Sequence, residues 1–100
     1  MVKLVAMFKK PDEPGEFDDH YENVHLPLVL KMPGMKRIEI SKVTGAPMSV
    51  PHFYRMAEMY FENPAALNRA ITSPEGIAAA KDLMSFAGGV MEMFFAEVRD

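Results

Sequence analysis

A tyrosine and a histidine spaced four residues apart are the side chains of this sequence best suited to acid–base chemistry. Tyr21 and His25 lie in "HYENVHLPLVL" (20–30), whose apolar residues recur every three or four positions, as in an amphipathic helix. Because residues i and i+4 share one helix face, we expect both rings to point toward the core. An imidazole titrates near pH 6.5, which suits proton transfer. A single histidine on an apolar face is equally compatible with a structural role.

Pro27 interrupts the predicted helix two positions after His25. It lacks the N–H that would bond to the carbonyl of Asn23, and its ring crowds that carbonyl. The helix is therefore predicted to bend or restart near Leu26. A bend beside an inward imidazole would open a pocket between helix and sheet.

The composition excludes several other kinds of site. The chain has no cysteine, so disulfides and thiolate chemistry are excluded. Its net charge of −3 offers no basic surface for nucleic acid or anionic lipid, and no stretch approaches the roughly 20 apolar residues of a membrane span. His20 and His52 are predicted to be exposed, and the three histidines lack a metal-site spacing. We expect a cytoplasmic protein with no metal, no cofactor, no nucleic-acid partner and no membrane association.

The elements that must position Tyr21 and His25 follow from periodicity and turn residues. Strands are predicted at 2–10, 35–45, 52–62 and 90–98, with helices over about 17–32, after a cap at Asn63, and from a cap at Ser73 to about Phe86. The order β-α-β-β-α-β predicts one α+β domain over residues 1–100 with a ferredoxin-like fold: a four-stranded antiparallel sheet with the helices on one face. In the last helix, Ile77, Leu83, Met84 and Phe86 are expected in the core.

Both faces of the predicted sheet carry large apolar side chains, although the helices cover only one. Leaving about five such side chains in water forgoes roughly 1.5–3 kcal/mol each, against a typical domain stability of about 5–15 kcal/mol. A two-fold partner packed sheet to sheet would cover them, so a homodimer is predicted. A monomer with an unusually apolar open face is the alternative.

Three segments together resemble the EthD-domain family of the dimeric α+β barrel superfamily. They are "HYENVHLPLVLKMPGMKR" (20–37), "MAEMYFENPAAL" (56–67) and "TSPEG" (72–76). The resemblance implies a ferredoxin-like subunit whose sheets pack face to face in a homodimer. It also implies a substrate cleft between the helices and the sheet, as in many members of that superfamily. These members include cofactor-free monooxygenases, polyketide cyclases, muconolactone isomerases and haem-degrading enzymes.

Carried over by position, the resemblance places Tyr21 and His25 in that cleft. From the strands it adds six residues: Lys3, Val5, Met7, Arg55, Ala57 and Met59. A salt bridge from Arg55 to Glu39 or Glu92 is an equally open interpretation. Some cyclase relatives carry a second histidine where this chain has Gly76, and the cysteine of the isomerases is absent.

The leading hypothesis is a cofactor-independent, homodimeric enzyme that transfers protons on a small apolar oxygenated metabolite, in a cyclisation, isomerisation, decarboxylation or oxygenation. His25 would be the base or acid, Tyr21 would orient it or donate a hydrogen bond, and Arg55 or Lys3 would stabilise negative charge. Haem binding through His25 is a weaker possibility. The alternatives are a non-catalytic dimer that binds a small hydrophobic ligand, and an accessory protein of an oxidative degradation pathway.

Overall fold

In a computed structural model that describes residues 1–99, four antiparallel strands form one sheet with the helices on one face, as predicted. The strands are β1 (Val2–Phe8), β2 (Arg37–Lys42), β3 (Arg55–Phe61) and β4 (Met91–Glu97), and the helices are α1 (Pro14–His20), α2 (Leu26–Val29), α3 (Pro64–Thr72) and α4 (Pro74–Ala87). The strand order is β2-β3-β1-β4. The ferredoxin-like fold is therefore confirmed, while position 100 of the predicted domain lies outside the described residues. No helix within residues 1–99 has the length and apolarity needed to cross a membrane.

A π-helical turn over Tyr21–His25 joins α1 to α2. The N–H of Leu26 bonds to the carbonyl of Tyr21, five residues earlier, rather than four as in an α-helix. The chain then restarts as α2 with Pro27 in its first turn, where a missing N–H is tolerated. The predicted restart near Leu26 is confirmed, and its form is a widened turn.

The widened turn decides which side chains face the core. Residues spaced four apart advance slightly more than one α-helical turn of 3.6 residues, so a row of them drifts around a regular helix. The widened turn contains one extra residue, which cancels this drift. Val24, predicted within the apolar stripe, is consequently exposed. The buried positions of this region lie four apart instead: Phe17, Tyr21, His25 and Val29.

Helices α3 and α4 begin with the predicted caps. The side chain of Asn63 accepts a hydrogen bond from the N–H of Ala66 at 2.9 Å, and the hydroxyl of Ser73 accepts one from the N–H of Gly76 at 3.0 Å. Each cap satisfies a backbone donor that the first helical turn leaves free. Both helices therefore start where the sequence indicates.

The face that α4 turns inward agrees with the prediction at Leu83 and, in part, at Phe86, but not at Ile77 and Met84. Its buried residues are Gly76, Ala79, Leu83 and Ala87, whereas Ile77 and Met84 are exposed. At Gly76, an added Cβ would come within 2.1 Å of the carbonyl oxygen of Ala70 in α3. Because the helices approach this closely at Gly76, no larger residue fits at that position.

The open face of the sheet is mixed rather than wholly apolar. Val5, Met7, Met56, Tyr60 and Phe94 lie on it according to the strand register. Between them, Lys3 Nζ lies 2.6 Å from a carboxylate oxygen of Glu58, and this hydrogen bond raises the pKa of Lys3. The face therefore combines apolar side chains with an ion pair.

Candidate functional site

A cavity of about 330 Å³ lies between the helices and the sheet. Leu4, Ala6, Ala57 and Met59 contribute to it from the strands, and His25, Tyr21, Ala79, Ala80 and Leu83 from the helices. The ring of Phe95, 62% exposed, also lines it from the edge strand β4. Among all its lining residues, only His25 and Tyr21 carry a side-chain nitrogen or oxygen. The volume falls in the range of small-molecule pockets.

Asp82 of α4 orients the His25 imidazole. Its Oδ2 lies 3.1 Å from His25 Nδ1, and the two side chains are 14% and 7% exposed. An ionised carboxylate only accepts hydrogen bonds, so Nδ1 carries the proton and Nε2 keeps its lone pair. Burial lowers the pKa of His25, and the bond to Asp82 opposes that shift. The ring is therefore neutral near pH 7, with Nε2 as a base.

The Nε2 atom of His25 is free of hydrogen bonds to the described part of the chain. Within residues 1–99 the only fully buried side-chain nitrogen or oxygen that lacks a hydrogen-bond partner is Nε of Arg55. His25 makes its hydrogen bond through Nδ1, and no protein group in this part of the chain engages Nε2. Nε2 is therefore not sealed inside the protein, and the ring that carries it lines the cavity.

The same carboxylate holds a second histidine. Oδ1 of Asp82 lies 2.9 Å from Nε2 of His20, whose side chain is 33% exposed. The prediction of His20 as a solvated flank residue is therefore wrong in part, because its ring bonds to Asp82 and packs 4.4 Å from that of Phe86. In the described part of the chain, no group of three or more acidic, histidine or cysteine side chains is placed to hold a metal ion.

Sequence reasoning missed Asp82 altogether. Its partners precede it by 57 and 62 residues, and no local pattern joins positions so far apart. The available signal was its place directly before Leu83, a predicted core residue. An acidic side chain beside a core position of a helix needs a partner when it is buried.

Tyr21 supplies the second polar group of the cavity. Its residue is almost fully buried, and its ring centroid lies 5.8 Å from that of His25. Burial raises the pKa of Tyr21 to about 12, against a smaller opposing effect of Arg55. The phenol therefore keeps its proton at neutral pH and is a hydrogen-bond donor.

Arg55 lies behind Tyr21 rather than in the cavity. Its guanidinium carbon is 4.3 Å from the Tyr21 ring centroid, and its nitrogens bond to Asp18 at 3.2 Å and to Glu22. The proposed salt-bridge partners Glu39 and Glu92 were wrong, because the carboxylates come from the first helical region. This arrangement lets Arg55 support Tyr21 without contacting a bound molecule.

Three predicted cleft residues lie on the opposite face of the sheet: Lys3, Val5 and Met7. The register pairs Ala6 with Ala57 and Leu4 with Met59, and residues paired across antiparallel strands point to the same side. The cavity therefore takes Leu4, Ala6 and Phe8 of β1 together with Ala57 and Met59. Placing Lys3, Val5 and Met7 beside His25 was wrong.

The sequence of this chain matches the model of the EthD domain over residues 9–97. This chain belongs to the EthD family. A relative in Rhodococcus erythropolis, an uncharacterized 11.0 kDa protein of the thcB-thcC intergenic region, is 36% identical over 97 residues, which cover 97% of this chain and 94% of the relative.

Solved structures agree with the family assignment. An ethyl tert-butyl ether D (EthD) family protein from Bacillus halodurans shares 38% identity and a TM-score of 0.95 over 99% of both chains. SnoaB from Streptomyces nogalater, a cofactor-independent oxygenase, has 18% identity and a TM-score of 0.71 over 99% of this chain and 93% of its own. A dimeric ferredoxin-like protein of unknown function from Thermobifida fusca has 10% identity and a TM-score of 0.75 over 97% and 90%. The last two likenesses concern the fold alone.

Proposed function

We propose that this EthD-family protein binds a small, largely apolar, oxygenated metabolite in the cavity and transfers protons on it without a cofactor. The observation that supports this most is the pairing of His25 with Asp82. It leaves one basic nitrogen on a cavity whose other lining is apolar, apart from the phenol of Tyr21. A base held in one orientation and protected from water is suited to proton abstraction.

In the proposed reaction, Nε2 of His25 takes a proton from a C–H next to a substrate carbonyl, or from a phenolic O–H. The resulting imidazolium is stabilised by the carboxylate of Asp82, which accepts from Nδ1. The O–H of Tyr21 donates a hydrogen bond to the developing substrate oxyanion. Return of the proton to another substrate atom completes an isomerisation or a ring closure. Oxygenation, the activity named for SnoaB, would start from the same deprotonated substrate with O₂ as oxidant.

Arg55 contributes to this proposal as a positioning residue. Its cation lies over the Tyr21 ring, and its bonds to Asp18 and Glu22 tie β3 to the helical region that carries Tyr21 and His25. The direct stabilisation of substrate charge expected of Arg55 or Lys3 is replaced by the hydrogen bond from Tyr21.

Proton exchange on a probe ketone tests the proposal. The α-protons of 2-tetralone in D₂O are followed by NMR with wild type, with His25→Ala, and with His52→Ala as a control at an exposed histidine. Wild type and the control should accelerate exchange, whereas His25→Ala should lose at least tenfold, since a general base contributes about 10²–10⁴. Equal rates for wild type and His25→Ala would refute catalysis by His25. Binding of the ketone without any proton exchange would favour the alternative hypothesis, in which the protein binds a ligand but does not catalyse a reaction.

We also propose that the chain forms a homodimer through the open face of the sheet. The structural neighbours include dimeric ferredoxin-like proteins, and the apolar side chains of that face favour a covering partner. Met56→Asp places a charge on the face, so it should dissociate the dimer in sedimentation velocity. Met84→Asp, at an exposed methionine on the helix side, should leave it intact. A wild type that sediments as a monomer would refute the proposal.

A further inference from the structure

A second hollow adjoins the cavity beside α3. This groove, also about 330 Å³, runs between α3 and the strands β1 and β4. Val2, Leu67 and Ala96 contribute apolar surface, and Asn68 and Glu97 contribute polar groups. Ile71 and Phe95 line both the groove and the cavity. The two hollows therefore meet at these two side chains.

The junction between the hollows is open on one side. The ring of Phe95 is 62% exposed, so the protein does not enclose it on all sides. Ile71 is only partly buried. A molecule bound beside His25 therefore has an apolar route along Ile71 and Phe95 toward Leu67, which is itself buried.

We propose that the molecule bound here is an elongated amphiphile with an oxygenated head at His25 and Tyr21 and an unbranched hydrocarbon tail in the groove. This inference rests on the proposed function, because it takes the head from the cavity site. The head must be oxygenated because the only polar side chains of the cavity are an imidazole and a phenol. The tail must be apolar because every side chain between the head and Asn68 is apolar.

The proposal predicts how affinity depends on chain length. Each methylene transferred from water into an apolar site strengthens binding about fourfold. A tail that leaves the cavity into water gains nothing per added carbon. If affinity keeps rising for tails that are too long for the cavity alone, the tail therefore occupies the groove.

Titration calorimetry with 4-alkylphenols, from methyl to octyl, tests the proposal. Wild type should gain between twofold and fourfold in affinity per methylene through the longer members. Ile71→Trp, which fills the junction, should lose the gain for long chains. Val2→Trp, at a residue that lines the groove and not the cavity, should lose that gain while binding 4-methylphenol as wild type does. Ile77→Trp is the matched control, because Ile77 is exposed on α4, and it should keep the gain. Phe95→Ala, at an exposed position, should weaken binding of the long-chain phenols.

The His25 ring resonances separate the two proposals. If 4-methylphenol shifts them and affinity stays flat from propyl onward, the tail groove is refuted and the head site stands. A gain that is equal in Ile71→Trp and Ile77→Trp would also refute the groove, because the tail would then lie elsewhere. If no phenol binds or shifts the His25 resonances, the proposed function fails together with this inference.

Discussion

Replacing Asp82 with alanine tests the central contact of the candidate site. In the protein this carboxylate accepts from His25 Nδ1 at 3.1 Å and lies 2.9 Å from His20 Nε2. Alanine removes both contacts. It leaves the Nδ1–H of a buried imidazole without its acceptor, whereas the half-exposed His20 ring regains water.

The expected cost follows from the exposure of the two ends. A hydrogen bond to a charged group contributes about 1.5–3 kcal/mol, and the loss counts in full at the buried His25. The His20 end resembles a surface pair, which contributes about 0.2–1 kcal/mol. Alanine has a higher helix propensity than aspartate, which offsets up to about 0.7 kcal/mol of the lost free energy of unfolding. The free energy of unfolding should therefore fall by about 1–3 kcal/mol.

Urea denaturation and ¹⁵N NMR of the histidine side chains measure the two consequences. Asp19→Ala is the matched control, since Asp19 is also helical and accepts a 2.9 Å hydrogen bond, but on the exposed surface; its effect should stay within about 0.5 kcal/mol. The wild-type spectrum should show His25 protonated at Nδ1, and this preference should be lost in Asp82→Ala. Equal stability of the two variants, or His25 protonated at Nε2 in wild type, would refute the reasoning.

Three further substitutions test the surrounding structure. Gly76→Ala should lower the free energy of unfolding by at least about 1–3 kcal/mol, because the added methyl group overpacks against Ala70. Gly15→Ala is the control: its Cβ would meet nothing within 4 Å, so it should be neutral or stabilising. Equal melting temperatures of the two variants would contradict this prediction. The folded-state pKa of His25 lies below 6.5, so the unfolded chain takes up the proton first and stability falls as pH drops below about 6.5. The margin of wild type over His25→Gln, measured by urea denaturation, should therefore narrow from pH 7.5 to pH 5, and a constant margin would contradict the shift. Asn63→Ala should cost about 1 kcal/mol through loss of the α3 cap, and an unchanged urea midpoint would show that the cap contributes nothing.

The fold was predictable because its signals are local. Caps at Asn63 and Ser73, the period-two strands and the break at Pro27 each involve only a few neighbouring residues. The position of His25 on the inner face followed from its four-residue spacing to Tyr21. Local signals of this kind determine element type and order, which suffice for a ferredoxin-like arrangement.

The wrong predictions concern contacts between elements that are far apart in the sequence. Lys3 and Ala57 were assigned to one cleft, although the strand register pairs Ala57 with Ala6, and a shift of one residue moves every side chain to the other face. Asp82 and the carboxylate partners of Arg55 come from elements far away in sequence. Such contacts depend on the relative rotation of packed helices, which no single segment specifies.

The widened turn at Tyr21–His25 also means that this helix contains one residue more than its length requires. Deleting Asn23 would restore regular winding while leaving α1 and α2 in nearly the same rotation about the helix axis, because the widened turn already absorbs one extra residue. Phe17 would then stay in the interior and Asp18 beside Arg55, and the change would be confined to the spacing of Tyr21 and His25. An insertion, by contrast, would rotate Phe17 and Asp18 by about 100° relative to α2, so insertions in this segment are expected to be far less tolerated than a deletion.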